Sequence, residues 1–242
     1  MPRTEEFVAG LVLAAGGSSR LGQPKQLLPF GSGTLLDHVL DTARRCRFDQ
    51  LVCVIGGGAD DVRGAVDFGG VEVVENVQFG TGCSSSIAAA LAAVDPRCDV
   101  LVLMLGDQPG VSSSTVGALV AGRGDAPLAA CLYSDGRGHP LAFDRRVFGE
   151  LADLHGDKAV WKLMDRHADE VADIPVPGPI PRDVDTADDY EAVLADLGHG
   201  ESCCPQEIAE FTVCVGAPMN EKTPRSGRSA PGGHSGTSMG PS

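Results

Sequence analysis

Residues Val100 to Leu105 are apolar without a break, and Leu51 to Ile55 is the same. A strand with one wet face alternates polar and apolar side chains. A strand without alternation is covered on both faces, as in a parallel sheet with helices above and below it. Phe7 to Leu13 is another such run and Val71 to Val74 a shorter one. Between them, Thr34 to Cys46 has helical spacing, with Leu35, Leu36, Val39, Leu40 and Ala43 on one face. A short helix is expected from about Asp60, whose charge suits a first turn. Ser84 to Ala93 is an Ala-rich helix with a Ser run able to cap it, and Ser112 to Ala121 is another capped helix. Leu128 to Tyr133 and Leu141 to Phe143 have extended character, Arg145 to Leu154 and Lys158 to His167 helical. Val171 to Val176 is a late strand and Thr186 to Leu197 a last helix. This alternation predicts a Rossmann-like α/β fold with a mostly parallel sheet in three layers. Such sheets take ligands at the carboxyl ends of their strands, so chemistry belongs in the loops after the first, third and fourth strands.

After Leu197 the composition changes. Residues 198–242 are rich in Gly, Ser and Pro, and only Glu210 to Val215 has strand character. One domain over residues 1–197 is expected, followed by a disordered tail over 198–242 without catalytic residues. The formal net charge of −14 argues against non-specific nucleic-acid binding, which needs Lys and Arg against phosphates. No apolar run is long enough to cross a bilayer. Phe7 to Ala15 runs straight into a Gly-rich loop, as a first strand does and a signal peptide does not, so a cytoplasmic location is expected. None of the eight cysteines has the two-residue gap of a zinc or redox pair. They are expected to be reduced, as small buried hydrophobes.

Five segments carry candidate chemistry. In Leu13-Ala-Ala-Gly16-Gly17-Ser18-Ser19-Arg20-Leu-Gly22-Gln-Pro-Lys25, a buried strand opens into residues small enough for backbone amides to approach an anion. Arg20 and Lys25 add two positive charges that can reach a polyphosphate. The order is neither that of a P-loop nor that of the dinucleotide fingerprint. In Leu105-Gly106-Asp107-Gln108-Pro109 an Asp ends the fourth strand. It suits Mg²⁺, which takes one or two carboxylates plus phosphate oxygens and waters, and it equally suits a turn before Pro. In Arg182-Asp183-Val184-Asp185-Thr186 an extended backbone would put both carboxylates on one side, where they could face a metal, and Asp185 or Thr186 could cap the last helix. Asn76 to Ser86 is a Gly- and Ser-rich loop entering a helix, suited to an anion or to plain capping. Gly136-Arg137-Gly138-His139-Pro140 reads as a tight turn carrying one Arg and one His, which could bind an acceptor phosphate or be an ordinary turn.

In this order the segments resemble the MobA-like nucleotidyltransferases, and most of all their molybdenum cofactor cytidylyltransferase branch. The resemblance rests on LAAGGSSRLGQPKQLLPF (Leu13 to Phe30), ENVQFGTGCSSSIAAAL (Glu75 to Leu91), LGDQPGV (Leu105 to Val111), GRGHPLAF (Gly136 to Phe143), LHGDKA (Leu154 to Ala159) and DVDTADDY (Asp183 to Tyr190). It covers Phe7 to Leu197. It implies a three-layer nucleotidyltransferase fold and transfer of CMP from CTP to the phosphate of a molybdopterin-type cofactor. Leu13, Ala14, Ala15, Gly16, Gly17, Ser18, Lys25, Gly82 and Asp107 would then bind the nucleotide, with Lys25 and Arg20 catalytic. Asp107 and Asp185 would hold Mg²⁺, with Asp183 in reserve. Asn76, Ser84, Ser85 and His139 would face the acceptor, and a molybdenum hydroxylase apo-enzyme would be a partner. The chain departs from the family's usual pattern at Val77, where Pro is usual, and at Cys83, where Met is usual. Some proteins with the same motifs are nicotine blue oxidoreductases, which use a nicotinamide cofactor, and others are accessory proteins of molybdenum hydroxylases. The Gly56-Gly57-Gly58 turn is the place a dinucleotide reading would point to, although it lacks the fingerprint spacing.

Overall fold

The structure is a computed structural model that describes residues 6–16, 21–156 and 158–198. Gly17, Ser18, Arg20 and the tail expected beyond Gly198 lie outside the described residues. Seven strands form one sheet in the order β5-β4-β1-β6-β8-β7-β9. They are β1 (Val8–Ala14), β4 (Gln50–Ile55), β5 (Glu72–Glu75), β6 (Val100–Leu105), β7 (Leu128–Tyr133), β8 (Gly136–Asp144) and β9 (Val171–Pro175). All neighbours pair in parallel except β8, which runs against both β6 and β7. A separate small hairpin joins β2 (Pro29–Phe30) to β3 (Gly33–Thr34). The helices are α1 (Leu35–Arg45), α2 (Ala59–Ala65), α3 (Cys83–Leu91), α4 (Ser113–Arg123), α5 (Phe148–Ala152), α6 (Ala159–Arg166) and α7 (Ala187–Asp196). Among the described residues no helix is long and apolar enough to cross a membrane.

The unbroken apolar strands are explained by the two layers. Val12, Cys53, Ile55, Val100, Val102 and Met104 pack against Leu36, Val39, Leu40 and Leu119 of α1 and α4. The alternate residues Leu11, Val52, Val54, Leu101 and Leu103 pack against Ile87, Leu151 and Leu163 of α3, α5 and α6. Each such side chain taken fully out of water contributes about 1.5–3 kcal/mol, so neither face tolerates a polar residue. A third cluster joins Leu28, Phe30 and Leu35 to Val184, Tyr190, Val193 and Leu194, which fastens α7 beside the hairpin.

Two expectations are corrected, and one pair of alternatives is decided. Residues 136–140 are the first half of β8, and the turn is Ser134–Asp135. Glycines and Pro gave that stretch a turn-like composition, but pairing with β7 at Gly136, Arg137 and Gly138 overrides it. The Ser run does not cap α3, whose N-cap is Gly82 without a side-chain bond. Ser84 and Ser86 are instead buried within the helix. Thr186, not Asp185, caps α7, in a reciprocal pair with Asp189. Among the described residues Cys53, Cys98 and Cys131 are buried, as expected of small hydrophobes, while Cys46 and Cys83 are half-buried.

The Gly56–Gly58 turn does structural work. A Cβ on Gly56 would lie 2.7 Å from the Ala15 carbonyl oxygen and 2.7 Å from Phe79 Cβ, and one on Gly58 would meet Pro24 at 2.9 Å. Gly58 also has a φ of 70°. The turn therefore lets the loops after β1, β4 and β5 close on one another. Gly56→Ala should destabilise the protein by about 1–3 kcal/mol through overpacking, lowering Tm by several degrees. A thermal melt within one degree of wild type would show that these loops yield without cost.

Candidate active site

Paired strands end together here. The register sets Ala14 beside Ile55 and Leu13 beside Leu105, so the loops after β1, β4 and β6 leave the sheet at one edge. Lys25 begins a single 3-10 turn, Lys25–Leu27, that returns the chain to this edge. Its ammonium lies 2.5 Å from Asp107 Oδ2 and 2.7 Å from Asp185 Oδ1. Burial opposes the charge on Lys25, yet the two carboxylates outweigh it and hold its pKa above the ordinary lysine value.

Asp107 arrives at the end of β6. Asp183 and Asp185 arrive on the segment between β9 and α7, which is anchored at three points. The Val184 N–H donates to the Asp107 carbonyl at 3.0 Å, the Val184 side chain is fully buried in the third core cluster, and Gln108 Nε2 donates to the Pro181 carbonyl at 3.0 Å. Asp183 stands where partial burial, and then the charges of Asp107 and Asp185, push its carboxyl up to about 6. The centre is thus three carboxylates around one lysine, with a surplus of negative charge.

Two glutamines that sequence reasoning passed over act as struts. Gln26, only 2 % exposed, donates through Nε2 to the carbonyls of Ala14 at 2.5 Å and Gly16 at 3.3 Å, fixing the exit of β1. Both partners are acceptors, so the amide orientation is decided, and Oε1 is left without a partner among the described residues. Gln108 Oε1 is in the same condition. Their only sequence signal is position, each directly following the charged residue it steadies.

A cleft of about 350 Å³ opens beside the centre, lined by Leu13, Ala15, Gly16, Gly82, Asp107 and Asp183 together with Phe79, Cys83, Ser86 and Leu105. A recess of about 70 Å³ adjoins it, bounded by Ala14, Lys25, Gln26 and Gly106. A larger depression, about 560 Å³, lies at the start of β4 around Arg44, Phe48 and Glu72, away from the carboxylates. The residues expected on the acceptor side are mostly occupied within the fold. Asn76 is buried and donates to the Ser85 and Ser86 hydroxyls at 2.8 and 2.9 Å. Ser84 Oγ accepts from the Gly156 N–H. Val77 (80 % exposed) and Phe79 form an apolar rim on the same loop.

His139 lies on β8, two residues past the last rung with β6, Leu103 against Leu141, and so at the ligand edge. Its ring meets Trp161 edge-on at 5.5 Å, and its carbonyl accepts from Tyr133 Oη. Surrounding protein desolvates the imidazole and pulls its pKa down to about 4. It is a neutral group at physiological pH, able to hydrogen-bond but not to supply charge.

Comparison with known proteins gives the site a context. The MobA-like NTP transferase domain family matches residues 10–171. A solved structure of an Rv0371c homologue from Mycobacterium sp. strain JC1 is 51% identical with a TM-score of 0.74, over 79% of this chain and 97% of that one. Rv0371c of Mycobacterium tuberculosis, solved in complex with manganese, is 45% identical with a TM-score of 0.69, over 79% of this chain and 100% of that one. Nicotine blue oxidoreductase of Paenarthrobacter nicotinovorans is 33% identical over 57% of this chain and 71% of its own length. The bifunctional protein GlmU of Paraburkholderia xenovorans is 39% identical over 62% of this chain, which spans only 32% of that protein.

The His139 environment has a measurable consequence. A folded-state pKa of about 4 against an unfolded value near 6.5 means that the unfolded chain binds more protons between these limits. Stability should therefore rise with pH from about 4 to 6.5, and the full penalty should apply below about 4. Urea denaturation across this range should show a steeper acid loss in wild type than in His139→Gln. An imidazole NMR titration with its midpoint near 6.5 would contradict the desolvated packing on Trp161.

Proposed function

This chain belongs to the MobA-like NTP transferase family, and from that premise we propose that it moves CMP from CTP to the phosphate of a molybdopterin-type acceptor. The coarser activity is that of the family, nucleotidyl transfer. The observation that carries the reading is the Lys25–Asp107–Asp185 centre at the sheet's ligand edge, beside a cleft large enough for a nucleotide.

In this reading an acceptor phosphate oxygen attacks the α-phosphorus of CTP. The new P–O bond forms as the bond to the β-phosphate oxygen breaks, and pyrophosphate leaves. Both reactants are anionic, so repulsion is the first obstacle and charge building on the leaving group the second. Lys25 meets both as a fixed point charge. Gly16, and by the family resemblance Gly17, Ser18 and Arg20, cradle the triphosphate. Leu13, Ala14, Ala15 and Gly82 shape the nucleotide side. His139, neutral and at the same edge, faces the acceptor together with the Asn76–Ser85 loop. Val77 and Cys83, the departures from the usual pattern, stand on that loop and in the cleft, so the acceptor is where this chain would differ from its relatives.

A divalent cation fits the residues present. Among the described residues no three His, Cys, Asp or Glu side chains converge as a closed metal cage. An open pair of carboxylates is instead what Mg²⁺ requires when it keeps its waters and takes phosphate oxygens as ligands. The donors are all oxygens, and Asp183, raised to about 6 by burial and then by the charges of Asp107 and Asp185, stands beside them. Asp107 and Asp185 would hold the ion, with Asp183 next to them. Once bound it would neutralise phosphate charge. The manganese in a 45%-identical relative is in keeping with this. A cytoplasmic location and delivery to a molybdenum hydroxylase belong to the same proposal.

The relative named nicotine blue oxidoreductase motivates a second reading, an NAD(P)H-dependent reductase. The Gly56–Gly58 turn does not favour it, because Gly56 is filled by Ala15 and Phe79. A non-catalytic accessory role would need neither Lys25 nor Asp107.

With Mg²⁺ and a molybdopterin-type acceptor, pyrophosphate should be released from CTP in preference to GTP and ATP. Equal turnover of all three would remove the cytidylyltransferase reading, and NADPH-dependent dye reduction without pyrophosphate would establish the second. Lys25→Ala should lower kcat by about a hundredfold or more while CTP affinity falls less, since the lost contact acts mainly in the transition state. Asp107→Ala should shift the Mg²⁺ dependence as well as the rate. A folded Lys25→Ala enzyme with near-normal kcat would eliminate that role for the lysine.

A further inference from the structure

The same two carboxylates are asked to do two things. In the ligand-free chain Asp107 Oδ2 and Asp185 Oδ1 hold the Lys25 ammonium at 2.5 and 2.7 Å. In the proposed reaction they hold a divalent cation, and Lys25 serves the nucleotide phosphates. A dication bonded to the same two carboxylates would stand within a few ångströms of the ammonium, where the two positive charges repel strongly. The Lys25 side chain is 12% exposed, and the turn that carries it is steadied by Gln26 against the Ala14 and Gly16 carbonyls. The ammonium is therefore a resident counter-ion of a partly desolvated acid pair, not a solvated group passing by.

We propose that Lys25 is a resident cation that keeps divalent metal off the Asp107–Asp185 pair until a triphosphate arrives. The inference rests on the metal reading given above and adds an order of events. Asp107 and Asp185 each give Lys25 an oxygen. A nucleoside triphosphate brings anionic oxygens of its own. Only then does Lys25 have phosphate oxygens to move to. Lys25 leaves the carboxylates for the phosphates, and the metal takes the oxygens it vacates. One side chain so acts as the guard of the metal site and as the catalytic charge. The arrangement binds metal and nucleotide with positive cooperativity, which by linkage is reciprocal.

The test is Mn²⁺ binding, read without turnover. Mn²⁺ is titrated calorimetrically into nucleotide-free wild type, Lys25→Met and Lys25→Arg, with circular dichroism as the folding control. Equilibrium dialysis then measures protein-bound Mn²⁺ with and without CTP. Wild type should bind Mn²⁺ weakly alone and at least about tenfold more tightly with CTP. Lys25→Met should bind Mn²⁺ alone about tenfold or more tighter than wild type, and Lys25→Arg, which keeps the charge, should not. Wild type binding Mn²⁺ equally well with and without CTP would overturn the guard role, whether or not the variants fold. So would a folded Lys25→Met variant with wild-type or weaker affinity. Failure of wild type to take up Mn²⁺ even with CTP would instead strike the underlying metal reading.

Discussion

Everything at the site depends on the pairing of β1 with a parallel neighbour on each side. The rungs from Ala9 against Gln50 to Ala14 against Ile55, and from Val8 against Val100 to Leu13 against Leu105, align three carboxyl ends. Because both faces of these strands are buried, a slip in register would move apolar side chains out of their layers, so the alignment is strongly specified. The loop exits must then crowd into one place. Glycine at Gly56 and Gly106, where a Cβ would come within 3.0 Å of a neighbouring segment, is the local consequence of that crowding.

The charge at this edge is built in the same way. Lys25 and Asp107 are 82 residues apart in the chain, and Lys25 and Asp185 are 160 apart. They meet because the 3-10 turn, the strand end and the returning segment are each tied to the sheet by groups that carry no charge: Gln26 to Ala14 and Gly16, Gln108 to Pro181, and Val184 to both Asp107 and the third core cluster. The struts matter because an ion pair of this kind is costly to desolvate and gains little unless its geometry is held. The side-chain carbonyl oxygens of Gln26 and Gln108 have no partner among the described residues, a consequence of placing amide donors where backbone acceptors need them.

Much of the fold was legible because its signals are local. The Ser112 cap of α4, the amphipathic spacing of α1 and the unbroken run of β6 each lie within a dozen residues, and each element stands where the pattern put it. The failures are equally physical. Gly136 to Pro140 had turn composition, but an available β7 edge and a covered face made it a strand. The Ser run after Gly82 had the chemistry of a cap. Its hydroxyls were needed elsewhere, Ser84 by the Gly156 N–H and Ser85 and Ser86 by Asn76. Neither competing partner is visible in a window of sequence.

By itself the sequence determined the layered α/β class, the edge of the sheet where ligands belong and the residue types gathered there, because periodicity, strand burial and loop composition are written in consecutive residues. Only the tertiary structure decided which of those residues touch. That Asp185 and Asp107 share one lysine, that Asp183 stands beside them as a crowded third acid, and that His139 is a desolvated neutral ring against Trp161 all follow from contacts across many tens of residues. Such contacts are set by how strands pair and which loops are left room to close, and no local pattern encodes that choice.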